Sequence, residues 1–245
     1  LAYAGDLKLE DLVQEAINNS PELKMSEARW VSSTHKASSA GSLPDPMLML
    51  GYQNEGYDNY TFGEMEGSQW MLSFSQMFPF YGKRELKTGM AERESNVFKE
   101  SSESLKFKIS SDVRERYYEL YLIHKNIELL EYKRELLKKT EEAALTRYSN
   151  GMSMQTEVIM AQTEKYMISE RIEMLKQKIE AVEGMLNSTL GRAVTNELAR
   201  PGELRATTFD YTLEALLDMA VEKSPLIMAK KEMLEAGKLN ASMMR

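Results

Sequence analysis

The sequence predicts a mainly α-helical protein with a small β part, in which a long antiparallel coiled-coil hairpin is joined to two β-strands of membrane type. Three observations carry that expectation. From Lys83 to Ser149 there is no proline and Gly89 is the only glycine, so nothing interrupts a helix that at 1.5 Å per residue would span about 100 Å. Beyond it, Val158, Ala161, Ile168, Ile172, Leu175, Ile179, Val182 and Leu186 recur at alternating three- and four-residue steps, the period of a coiled-coil seam. Ahead of it, Trp70, Leu72, Phe74 and Phe78 share one parity while Met71, Ser73, Ser75 and Met77 share the other. Successive side chains of a strand point to opposite faces. One face here is therefore bulky and apolar and the other small or polar, as in a barrel wall between lipid and water.

In chain order, Leu1-Ala2-Tyr3-Ala4-Gly5-Asp6 has the small residues of a secretory cleavage site and predicts a signal-peptide remnant and arm over 1–7. Residues 8–40 read as helix, with Leu9, Leu12, Val13, Ala16 and Ile17 at helical spacing. Ser20-Pro21 breaks it, Pro21 opening a new helix capped by Ser20. Pro44-Asp45-Pro46 forbids further helix. Leu48, Leu50 and Tyr52 then alternate with Met47, Met49, Gly51 and Gln53, a first strand over 46–54. The Gly-, Asp-, Asn- and Tyr-rich stretch 55–67 reads as an exposed loop. A second strand covers 68–78, and a helical hairpin covers 83–190. Asn150-Gly151 turns the hairpin, both residues tolerating the left-handed conformation. The outgoing helix offers Ile109, Val113, Leu120, Ile123, Ile127, Leu130, Leu137 and Ala144 to the return seam, interrupted by Arg116, Arg134 and Glu141; Lys165 is the polar intruder in the return helix. A short turn makes the two helices antiparallel neighbours.

The chain also repeats itself. Leu9-Glu10-x-Leu12, Ala16 and Ser20-Pro21 recur as Leu213-Glu214-x-Leu216, Ala220 and Ser224-Pro225, at a constant offset of 204 residues. Residues 8–200 are thus one structural repeat, 201–211 a linker opened by Pro201-Gly202, and 212–245 the start of a second repeat, as in a piece of a longer duplicated chain.

Composition removes several classes of function. A formal net charge of −7 argues against a nucleic-acid surface. No apolar run reaches the roughly 18–20 residues of a spanning helix, which leaves barrels open. With no cysteine, disulfides, thiolate metal sites and cysteine nucleophiles are out. Eighteen methionines, among them Met152, Met154 and the seven-residue series Met160, Met167, Met174, have the thioether chemistry of Cu(I) ligands. Flexible apolar filler explains them better, and His35 and His124 stand far apart in sequence. Carboxylate pairs such as Glu131 and Glu135 suit a solvated coiled-coil face. No nucleophile motif or phosphate loop appears, so neither an enzyme nor a cofactor site is expected.

The order of helix, strand, loop, strand, long helix, turn, return helix and restart resembles the TolC-like outer-membrane efflux protein family over essentially the whole chain. The motifs that carry the resemblance are Pro44-Asp45-Pro46, Gln76 with Pro79-Phe80-Tyr81-Gly82-Lys83-Arg84, and Arg147-Tyr148-Ser149-Asn150-Gly151 followed by Glu157-Val158. The resemblance implies a homotrimer whose twelve-stranded barrel crosses the outer membrane and whose α-helical barrel crosses the periplasm of a Gram-negative envelope. It also implies a passive conduit completed by a periplasmic adaptor and an inner-membrane pump. Leu48, Leu50, Tyr52, Trp70, Leu72, Phe74 and Phe78 would then face outer-membrane lipid, with Trp70 in an interfacial girdle and Lys83 and Arg84 at the periplasmic boundary. Arg147, Tyr148, Ser149, Asn150, Gly151, Met152 and Ser153 would form the tip that docks the adaptor. The family's constriction residues belong to the second repeat's hairpin, so no gate residue is carried over. A different class remains beside this one: a periplasmic coiled-coil interaction protein such as an efflux adaptor, which would continue into other domains and would not restart the same helix.

Overall fold

The structure is a computed structural model that describes residues 7–61, 63–204 and 208–244. The signal-peptide reading of residues 1–6 lies outside them. Eight elements follow in order: α1 (Leu9–Asn19), α2 (Pro21–Ala40), β1 (Met47–Gln53), β2 (Gln69–Ser75), α3 (Lys83–Ser149), α4 (Gln155–Leu190), α5 (Leu213–Lys223) and α6 (Pro225–Met243). No described helix is long and apolar enough to cross a membrane. Contacts group the chain into two compact units, 1–25 with 103–217 and 26–102 with 218–245.

In the first unit, α3 and α4 pack along the heptad seam. Val113, Leu120, Ile172 and Leu186 are fully buried, and Ile123, Val158, Ala161 and Val182 nearly so. Burial is deepest at the end remote from the turn, where α1 and the first turn of α2 add a layer: Leu12, Ala16 and Leu23 join Ile109, Val113, Tyr117, Leu186 and Leu190 in one cluster. Two hydrogen bonds from the Arg192 guanidinium to the Glu15 carboxylate (2.6 and 2.5 Å) tie α1 to the end of α4. The phenol of Tyr117 donates to the Leu7 carbonyl at 2.9 Å, and Leu7 pairs with Pro201 in a parallel bridge. The start of the linker is thus a bound strand-like segment. Asn187, fully buried in α4, donates from its side chain to the Asn196 carbonyl at 2.6 Å.

The Ser20 cap forms as its chemistry requires: the Leu23 amide donates to its hydroxyl at 3.2 Å, and the Ser20 amide closes α1 onto Ala16 at 3.0 Å. Helices α5 and α6 begin at the same 204-residue offset from α1 and α2, and α5 matches the 11 residues of α1. The matched first helices differ in burial: Leu12 and Ala16 of α1 are core, whereas no residue of α5 is buried.

In the second unit, β1 and β2 pair antiparallel. Beside them the first turns of α3 meet α2 through Ser95, which bonds the hydroxyls of Ser33 (3.2 Å) and Thr34 (2.9 Å). The same turns meet α6 through Arg93 and Asn96, which share the Glu232 carboxylate. The strand-to-strand loop is organised by Asn54, whose amide donates to the carbonyls of Gly56 and Asn59 while its oxygen accepts from the backbone and hydroxyl of Thr61.

Candidate functional site

Two surfaces were expected to matter, the strand pair and the hairpin tip. In the strand pair, Leu48 lies opposite Phe74, Leu50 opposite Leu72, and Tyr52 opposite Trp70. Directly opposed residues share a face, so the register gathers these six side chains on one face. The Tyr52 and Trp70 rings touch at 5.2 Å between centroids, with Tyr60 6.2 Å from Tyr52. Phe78 departs from the expectation. The strand ends at Ser75, and Phe78 lies beyond it, ahead of Pro79, because the chain must leave the ladder where proline has no amide to donate. The other face carries the residues that parity assigned to it: Met47, Met49, Gly51 and Gln53 stand there opposite Ser75, Ser73, Met71 and Gln69. Both faces are open, Leu72 being 73% exposed and Met47 69%.

Below the ribbon the chain is fixed by polar side chains. The Gln76 amide donates to the Pro44 carbonyl at 2.6 Å, and Arg84 Nε donates to the Gly41 carbonyl at 2.6 Å. The latter bond makes Arg84 a clasp between the end of α2 and the start of α3, a role that spacing did not reveal. Phe78, Phe80 and Tyr81 stay exposed around Gly82, whose φ of +82° makes the bend.

At the tip, the Met152 amide donates to the Arg147 carbonyl (2.8 Å) and the Gly151 amide to the Tyr148 carbonyl (2.9 Å). Together they form a Schellman motif with Gly151, φ +69°, in the left-handed position. Asn150 is not left-handed; among the described residues only glycines have positive φ. Arg147, Tyr148 and Ser149 complete the last turn of α3, and α4 begins at Gln155 with no side-chain cap on its first turn. Met152 and Met154 are both largely exposed. Ser153 is half-buried, and its hydroxyl makes no hydrogen bond in the structure.

Away from the tip, two of the four polar interruptions of the seam meet: Lys165 Nζ lies 2.5 Å from Glu141 Oε2, with side chains 25% and 17% exposed. The hydrogen bond to Lys165 holds the Glu141 carboxyl below its ordinary range, and the same bond raises Lys165. Farther along α3, Arg200 and Lys125 both engage the Glu128 carboxylate. Burial, then the Arg200 charge, lowers His124 beside them. On α4, burial first and then Glu180 and Glu197 push Glu183 up. No cluster of three or more potential metal-ligating His, Asp or Glu side chains occurs among the described residues.

The family model described as outer membrane efflux protein matches residues 12–192. No curated protein matches the chain. Among solved structures, the outer membrane protein VceC from Vibrio cholerae is similar over 96% of this chain and 58% of its own, with a TM-score of 0.74 and 20% identity. CusC, described with transmembrane channel formation, has a TM-score of 0.76 at 13% identity, covering 96% and 55%. The CmeC outer membrane channel of Campylobacter jejuni gives 0.73 at 13%, covering 96% and 52%. The chain therefore spans between about half and three fifths of the length of the structures it resembles.

Proposed function

Since the chain belongs to the outer membrane efflux protein family, we infer that it forms part of a passive efflux conduit, with its ribbon in the outer membrane and its hairpin in the periplasm. The observation that carries this reading is the continuity between the two. A strand pair with six bulky apolar side chains on one face runs through Pro79–Gly82 into an uninterrupted helix of 67 residues. A two-stranded ribbon is marginal alone and has unpaired edges; closure with the ribbons of other copies into a barrel removes those edges and turns the Leu72 face to lipid. Three copies are the family's assembly, and the hairpin tip is the part available to a periplasmic adaptor and, through it, an inner-membrane pump. No energy source is required of this protein: its work is to exclude lipid from a water-filled path. The structural neighbours are channels, not enzymes.

The experiment is fractionation of the full-length protein followed by reconstitution. Recovery in the outer membrane, and discrete conductance steps from purified oligomer in planar bilayers, are expected. A full-length protein that stays in solution without detergent overturns the reading.

A further inference from the structure

The face of the ribbon turned away from Leu72 holds Met47, Met49, Gly51 and Gln53 on β1 and Gln69, Met71, Ser73 and Ser75 on β2. None of these residues is charged, and none is a histidine. Three are thioethers with open side chains: Met47 is 69% exposed, Met49 66% and Met71 48%. Methionine as gap filler needs neighbours on several sides, which side chains this open do not have. Closure into a barrel sets further strands beside the ribbon, about 4.8 Å away, and covers neither face. Strand preference does not account for the methionines either, since β-branched and aromatic residues suit a ladder better.

The register brings two of the sulfurs within reach of one point. Met49 pairs with Ser73 and Gly51 with Met71, so Met49 and Met71 are diagonal neighbours across the ladder. Such neighbours stand about 7–8 Å apart, a span that long side chains bridge. Gly51 clears the space between them: the Met71 methyl lies 3.6 Å from where a Cβ on Gly51 would stand. A glycine inside a strand weakens the ladder and marks a place of close approach; here the approach is made by a thioether. Met47 follows one step along the same face, at the end of the ribbon nearest α2.

Resting on the conduit reading above, which turns this face to the water-filled path, we propose that Met49 and Met71 form a transient site for a soft monovalent cation of the Cu(I) class, with Met47 the thioether that the cation meets first from the periplasmic side. The donor set selects the ion. Thioethers suit Cu(I), whereas hard cations such as Mg²⁺ and Ca²⁺ take oxygen ligands and Zn²⁺ takes imidazole, thiolate or carboxylate, and this face offers no thiolate, imidazole or carboxylate. Neutral ligands in an open site also hold the ion weakly, as a path requires: binding must favour entry and still permit departure. An apolar cargo is the alternative occupant, and it is separable because leucine keeps the volume and apolarity of methionine while removing only the sulfur.

The test uses the full-length protein purified from outer membranes, with Ag⁺ in chloride-free nitrate buffer as a probe that shares the soft d¹⁰ chemistry and does not disproportionate. Three forms are compared by equilibrium dialysis: the unaltered protein, Met49→Leu with Met71→Leu, and Met160→Leu with Met167→Leu on the exposed side of α4. The strand variant is expected to bind one Ag⁺ fewer per chain, and the helix variant to bind as the unaltered protein does. Equal binding by all three forms, or an equal loss in both variants, overturns the site. A second measurement follows single channels in planar bilayers. Ag⁺ is expected to lower the conductance of the unaltered protein reversibly, with recovery on adding free methionine, and to leave the strand variant unchanged. Channels whose response to Ag⁺ is the same in both overturn the site and leave the conduit reading standing, and a response that leucine preserves assigns the face to apolar cargo. An unaltered protein that forms no channels overturns both. If the double variant does not assemble, Met71→Leu alone carries the comparison, and Ag⁺ binding and block equal to those of the unaltered protein overturn the site.

Discussion

Single residues separate the two kinds of surface on this protein. Val113, Leu120 and Leu186 are fully enclosed by the seam; Leu186→Ala leaves a cavity there and is expected to lower unfolding free energy by about 2–5 kcal/mol, read from the midpoint of chemical denaturation. Leu72 contributes nothing to that core and is expected to be silent in such a measurement on detergent-solubilised monomer. In the membrane, Leu72→Arg should impair assembly, since a cation at a lipid-facing midplane position costs about 2–4 kcal/mol, whereas Ser73→Arg on the opposite face should be tolerated. Equal loss of outer-membrane protein for the two variants would contradict the facing. Titration adds a prediction with two opposed signs. Glu141 is held below its ordinary range by Lys165, so its contribution is present at neutral pH and is lost as pH falls through its lowered value. Glu183 is raised by burial, so its penalty appears as pH rises through its raised value and acid relieves it. Glu183→Gln should therefore raise stability at neutral pH and change it little in acid, while Glu141→Gln should lower it at neutral pH; a Glu183→Gln gain that persists unchanged in acid would refute the assignment.

Among the elements, the hairpin turn has the most defined chemistry. Gly151 sits at φ +69°, where a Cβ costs about 1–2 kcal/mol, so Gly151→Ala should lower the thermal midpoint of the hairpin without changing its helix content. That variant tests folding of the turn. Docking is tested by Arg147→Glu together with Ser149→Arg, both on the exposed last turn of α3. The pair is expected to leave oligomers intact while weakening adaptor cross-linking and export. Unchanged cross-linking and export from normal oligomers would reduce these side chains to capping roles, Arg147 complementing the negative end of the α3 dipole. The two-copy helix pair behaves differently at each end of the chain. α1 is held by Leu12 and Ala16 against the hairpin, but the corresponding Leu216 and Ala220 of α5 are not buried, so hydrogen exchange in the isolated chain should be fast in α5 and slow in α1.

For the whole molecule, heptad steps, proline placement and strand parity were enough to fix the element order, because periodicity is set by local geometry that each stretch of chain carries in itself. Hence the seam from Ile109 to Ala144 and from Val158 to Leu186, the break at Ser20-Pro21, the stops at Gly151 and Gly191 and the face shared by Leu48, Leu50, Leu72 and Phe74 were all legible. So was the family, since its motifs are punctuation between those elements. Contacts between residues distant in sequence were not legible. Nothing local announces that Arg84 will clasp Gly41, that Arg192 will grip Glu15, that Tyr117 will hold Leu7 against the linker, or that Lys165 and Glu141 will cancel each other's intrusion in the seam. Strand ends were misjudged for the same reason: a ladder ends where a partner strand ends, and Phe78 has no partner. The sequence alone therefore determined which segments are helix or strand and which way their apolar faces point. Only the tertiary structure decided which of those faces are covered within one chain and which are left open, because burial depends on what the rest of the chain brings alongside.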